Sequence, residues 1–115
     1  MKLRIPLPPS LNTAYRNVPG VGRVASNDLK AWKKAAQQLV FNQWMNAGQP
    51  KFVKHYALHY RFNINHQSDI GNREKCATDL IVATIPGFPG DQWCDQISIM
   101  RDRTIDGAIV EVIQL

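Results

Sequence analysis

The spacing of apolar residues changes period several times along the chain, and each change marks an element. Lys2 to Leu7 alternates polar and apolar before Pro8-Pro9, which predicts a short strand. Pro6, with no backbone N–H to donate, favours a sheet edge there. Residues 8–25 carry three prolines and two glycines and predict a long loop. From Ser26 or Asn27, either of which suits an N-cap, Leu29, Trp32, Ala36, Leu39, Val40 and Met45 recur at helical spacing to about Ala47. Gly48 and Pro50 then end the helix. The period drops to two over Phe52–Ile64, with Phe52, Tyr56, Leu58, Tyr60, Phe62 and Ile64 on one face and His55, His59, Arg61 and Asn63 on the other. Asp69–Ala83 predicts a second helix, Ile70, Ala77, Leu80 and Ile81 on its apolar side and Asn72, Lys75 and Asp79 opposite. After a Pro/Gly-rich loop, TIPGFPGDQW, two apolar runs at Ile97–Ile105 and Ala108–Ile113 flank Asp106-Gly107, which predicts a tight type I′ hairpin. The order β-α-β-α-β-β describes a single α+β (mixed α/β) domain spanning residues 1–115, its helices packed on a mixed sheet.

At 115 residues the chain is long enough to bury a core without a disulfide or metal staple. Cys76 and Cys94 form no CxxC and have no close Cys/His partners, so reduced thiols are expected. No window is apolar enough for a membrane span or a signal peptide, which predicts a soluble cytoplasmic protein with no membrane partner. His55 and His59 lie about 13 Å apart along a strand, too far to share one metal ion.

The charge of +5 is unevenly distributed. Residues 1–60 hold nine Lys/Arg against one acid, whereas residues 61–115 hold five against eight. A basic surface suits a polyanion, and carboxylates on the same domain repel phosphate unless a cation lies between them. Tyr15, Arg16 and Arg23 in the long loop, with Lys30, Lys33 and Lys34 on the first helix, are the candidate DNA contacts. Asp69 lies where the long strand gives way to the second helix, and Asp91 and Asp95 lie before the next strand. Carboxylates at such ends can meet in space and bind magnesium with phosphate and water, with Lys75 near enough to stabilise developing charge.

At these residues the sequence resembles the RusA family of Holliday-junction resolvases, small endodeoxyribonucleases of DNA recombination and repair often carried by bacteriophages and prophages. The likeness spans almost the whole chain. The N-terminal element P-P-S-x-N-x-x-Y-R is present as Pro8, Pro9, Ser10, Asn12, Tyr15 and Arg16, followed by Ser26 and the pair Trp32-Lys33. The central element D-x-D-N-x-x-K-x-x-x-D-[AL]-[LI] reads Asp69, Gly71, Asn72, Lys75, Asp79, Leu80 and Ile81, so its second acid is a glycine. In the third element, an Asp pair before Gln and a β-branched residue, Cys94 stands beside Asp95-Gln96-Ile97.

The resemblance implies a homodimer that cuts opposing strands of four-way (Holliday) junctions by magnesium-dependent hydrolysis, leaving 5′-phosphate and 3′-hydroxyl ends. It implies that Asp69 and Asp95 bind Mg2+ and that Lys75 assists cleavage, with Asn72 and Asp79 supporting. Gly71 offers no ligand, so Asp91 or Asp79 is expected to replace the missing oxygen. Asp79, about ten helical residues or roughly 15 Å beyond Asp69, is the less suitable of the two. The alternatives are a junction-binding protein whose catalysis is impaired by Gly71, and a small RNA-binding domain, for which the chain has no GXXG loop with its flanking helices and no aromatic pair in an RNP-like strand motif.

Overall fold

The computed structural model describes all 115 residues. In chain order the elements are β1 (Lys2–Ile5), α1 (Leu11–Ala14), β2 (Tyr15–Val18), β3 (Gly22–Ala25), α2 (Asn27–Asn46), β4 (Tyr56–Phe62), α3 (Glu74–Thr84), β5 (Cys94–Arg101) and β6 (Ala108–Gln114), with a 3-10 turn at Asp91–Trp93 before β5. The main sheet has the order β1-β6-β4-β5. β5 runs parallel to β4 and the other two pairings are antiparallel, so β4-α3-β5 is a parallel crossover. This is the mixed-sheet α+β domain expected from the patterning, with a second, two-stranded sheet from β2 and β3.

Register explains the burial. Leu3, Val110, Tyr60 and Ile99 form one cross-strand row on the face covered by the helices, and Lys2, Glu111, His59 and Ser98 form the next row on the opposite face. Tyr56, Leu58, Tyr60 and Phe62 of β4 are almost completely buried beneath Leu29, Trp32, Ala36 and Val40 of α2 and Ala77, Leu80 and Ile81 of α3. The buried indoles and the Tyr60–Thr78 hydroxyl pair of this core are bonded. The Trp32 and Trp44 indole N–H groups each donate to a carbonyl, those of Pro6 and Pro50, at 2.9 Å. The Thr78 hydroxyl donates to Glu74 Oε1 at 2.9 Å. Its single proton is thereby used, so the Tyr60 hydroxyl, 2.7 Å away, is the donor in the bond to Thr78. Burial pushes the Tyr60 hydroxyl pKa well up, which keeps that proton in place.

The structure corrects several expectations. Residues 8–25 are no simple loop: after α1, a hairpin forms about Val18-Pro19-Gly20-Val21. Val21 N–H donates to Val18 C=O at 3.0 Å, and Gly20 sits at φ +77°, the backbone a type II turn demands. On α2 the buried stripe continues to Trp44, one turn after Val40, while Leu39 and Met45 are exposed. The long strand is shorter than Phe52–Ile64, because Lys54 turns the chain at φ +54° just before it. α3 starts at Glu74 instead of Asp69. Asp69 Oδ1 accepts from Gly71 N–H at 3.0 Å, and Asn72 C=O accepts from Leu11 N–H at 2.8 Å, so backbone groups that would open a helix are used in a turn.

Finally, β5 and β6 do not pair with each other as an Asp106-Gly107 hairpin, because β4 lies between them. The connection crosses the end of β4, where Asp102 N–H donates to Phe62 C=O at 3.0 Å and Asn63 N–H to Gly107 C=O at 3.0 Å. Gly107 is at φ +61°, and a Cβ there would meet Ile5 O at 2.6 Å, so both backbone conformation and close approach require glycine.

Candidate nucleic-acid interface

The two best-matched motif segments meet in space. Arg73 Nη1 donates to Pro8 C=O at 2.6 Å, and the Leu11–Asn72 bond joins the first residue of α1 to the turn before α3. Between them lies an open cleft of about 290 Å³ whose lining is entirely polar and includes Ser10, Asn12, Ser68, Asp69 and Asn72. Arg101, from the far end of β5, braces the wall by donating to Asn65 C=O at 3.3 Å and to Ser68 C=O. Asp69 is the one carboxylate in the lining. A Cβ at Gly71 would stand 3.7 Å from Asp69 Oδ1 in ordinary contact, so a second carboxylate there would lie beside the first.

Lys75 forms a separate cluster on the first turn of α3. Its Nζ lies 2.9 Å from Asp79 Oδ1 and 3.6 Å from Asp91 Oδ2. These bonds, chiefly that to Asp79, raise the ammonium pKa above its ordinary value, so Lys75 supplies fixed positive charge and no base at neutral pH. Lys33 of α2 shares a crevice with Asp79, Leu80 and Thr84. With α3 starting at Glu74, the helical separation that disfavoured Asp79 as a partner of Asp69 no longer applies, yet Asp79 is engaged with Lys75.

The third element is split by a register shift between Tyr56 and Ala57. Cys94 pairs with Tyr56, the row facing the helices, whereas Asp95 is the extra residue of the bulge. Asp95 Oδ2 accepts from His55 Nδ1 at 2.8 Å. Burial pushes up the Cys94 thiol pKa, with nearby Glu74, Asp95 and Asp91 contributing, so this side chain is a neutral thiol where the motif has an acid. Asp69, Asp91 and Asp95 are therefore not drawn into one group. No three His, Cys, Asp or Glu side chains are placed to hold a metal ion. The donor set expected for magnesium does not fit this arrangement.

The basic residues distribute over three surfaces. On the hairpin, Tyr15 and Arg23 share a face, with the guanidinium carbon 4.4 Å from the ring centroid, while Arg16 pairs with Val24 on the other face. Ser26 N–H donates to Ala14 C=O at 2.8 Å, which ties the base of the hairpin to the start of α2. Lys30, Lys33 and Lys34 are all exposed on that helix, Lys33 and Lys34 on its α3 side. The sequence pattern did not single out Arg73, which holds the N-terminal segment, or Trp93, and it read His55 only as a polar-face residue; the rings of His55 and Trp93 meet edge to face at 5.2 Å. An aromatic in the DQWCD segment was a visible signal for Trp93; nothing local in the sequence pointed to its contact with His55. No helix is long and apolar enough to cross a membrane.

Compared with protein-family models and with curated proteins, the chain matches none.

Proposed function

We infer that the chain is a RusA-like domain that binds branched DNA, a four-way junction foremost, with cleavage weak or absent. The observation that carries this reading is the cleft at Asp69, where the Pro8–Asn12 and Asp69–Arg73 segments are bonded to each other; the exposed lysines of α2 lie elsewhere, Lys33 and Lys34 along the Asp79–Thr84 part of α3. A cleft with amide and hydroxyl groups and a single carboxylate accepts phosphate oxygens with little repulsion, and lysines add sequence-independent attraction. Gly71 in the central element and Cys94 in the third stand where the resemblance expects acids, and Asp95 is engaged by His55. Binding is thus better supported than hydrolysis. On this reading the protein acts as a homodimer, since a four-way junction presents its arms about a two-fold axis.

An active resolvase is the second reading, favoured by Lys75, whose ammonium is held beside Asp91 in the segment leading to β5. Incubation of a labelled synthetic junction with magnesium, run on denaturing and native gels, separates the two. A shifted but intact junction is expected. Paired nicks near the branch point would replace the first reading with the second, and absence of both shift and nicks would overturn both.

A further inference from the structure

At the end of the sheet where β4 and β5 begin, four residues to which the preceding reading gives no DNA contact form a small exposed site. His55 Nδ1 donates to Asp95 at 2.8 Å, and the two side chains remain 54% and 47% exposed. The imidazole and the half-buried Trp93 ring meet at right angles, and Lys54 Nζ stands 6.0 Å from the indole's centroid.

The segment bearing Lys54 and His55 is held in an unusual shape. Lys54 adopts φ +54°, a left-handed conformation that non-glycine residues seldom take. The Gln114 carboxamide imposes it, accepting from Val53 N–H at 2.7 Å and donating to Val53 C=O and His55 C=O at 2.8 Å each, and Leu115 N–H also donates to His55 C=O at 3.1 Å. Because a carboxylate only accepts, Asp95 fixes the proton on Nδ1 and leaves Nε2 as the ring's uncommitted polar atom. The result is a cation, an oriented imidazole and an indole together on a rigid turn.

We propose that Lys54, His55 and Trp93, with Asp95 orienting the imidazole, bind one unpaired nucleotide of single-stranded DNA. The base lies against the Trp93 ring, and its phosphate is met by the Lys54 ammonium, with the Asp95-oriented imidazole standing against the same ring. Aromatic stacking combined with a nearby cation is the general means of holding unpaired bases, because every base offers a π face. Inorganic phosphate lacks the base and gains only the charge contact. The proposal rests on the reading that this chain takes DNA, and it adds a contact on the side of the third element away from the Asp69 cleft.

Tryptophan fluorescence tests it, since Trp32 and Trp44 are buried and indole-bonded while Trp93 is the accessible ring. The full-length chain is titrated with an eight-residue oligothymidylate, with inorganic phosphate, and, by gel shift, with a four-way junction. Oligothymidylate is expected to quench the emission and phosphate to leave it unchanged. Lys54→Ala and His55→Ala should each weaken the oligothymidylate titration roughly tenfold, and Trp93→Phe should abolish the quench. No quench of the native protein, an equal quench by phosphate, or titrations unaltered in both alanine variants overturns the proposal. A junction shift in the absence of any oligothymidylate quench would overturn this proposal alone and leave the junction reading standing.

Discussion

Gly71 and Cys94 stand at two positions where the resemblance expects carboxylates, and at Gly71 the structure has room for one. At Gly71 the backbone φ is not in the left-handed region and the nearest group to an added Cβ is Asp69 Oδ1 at 3.7 Å, so Gly71→Asp costs little strain. Cys94 already projects on the helix-facing row beside Tyr56, whose hydroxyl pKa is pushed up to about 12 by burial and by its acidic neighbours. The double variant Gly71→Asp/Cys94→Asp is therefore expected to bind magnesium by calorimetry and to nick a four-way junction faster than the native protein. Unchanged metal affinity and rate would show that the absent acids are not what limits cleavage. Thr78 makes a different prediction. Thr78→Val removes the acceptor of the buried Tyr60 hydroxyl without altering shape, and should lower unfolding free energy by about 1–3 kcal/mol in urea titrations. Asp102 gives a pH dependence. The Thr104 hydroxyl and amide, then Arg61, hold its carboxyl pKa below the ordinary range. Its contribution is present above the unfolded pKa and disappears as pH falls through the lower folded one. The stability difference between native protein and Asp102→Asn, read from urea midpoints, should thus shrink below about pH 4.

Among the elements, α2 was the most legible, because its stripe is long and one of its two candidate caps does cap it: Ser26 Oγ accepts from Leu29 N–H at 3.2 Å, and Ser26→Ala should cost about 1 kcal/mol of stability. The start of α3 was illegible for a tertiary reason. Apolar periodicity ran back to Ile70, but Asn72 C=O is claimed by Leu11, far away in the sequence, and no local pattern reveals that partner. The hairpin about Pro19-Gly20 was hidden because its strands are four residues each and largely exposed, so alternation had little burial to reflect. Asp106-Gly107 misled in the opposite direction: a genuine turn glycine served to pass beneath Ile5, not to join neighbouring strands. Gly107→Ala should destabilise by more than about 1 kcal/mol in thermal or urea unfolding, since both φ and the Ile5 carbonyl oppose it. The lysines of α2 belong to this scale too. If they meet phosphates, replacing Lys30, Lys33 and Lys34 with Gln should flatten the log-log salt dependence of junction binding by about 0.9 for each phosphate no longer neutralised.

At the scale of the molecule, the opposition of a basic first half to an acidic second half was legible as arithmetic, but its geometry was not. The fold interleaves the halves: α2 from the basic half lies against α3 from the acidic half, so Lys33 borders Asp79 and the two signs meet in a crevice. The motif residues Ser10, Asn12, Asp69 and Asn72 were legible as a set, and their joining across one cleft is what the sequence left unstated. Asp95 was legible as an acid yet not as the partner of His55, because a bulge turns it and forty positions separate the two. Whether this surface takes branched DNA is tested most directly by competition in EDTA between a four-way junction and a linear duplex of the same arm sequence. Under these conditions binding is isolated from cleavage. The junction is expected to be bound at least about tenfold more tightly, a difference of about 1.4 kcal/mol, at a fixed salt concentration. Equal affinity for the two, or no affinity for either, contradicts a branched-DNA-binding role.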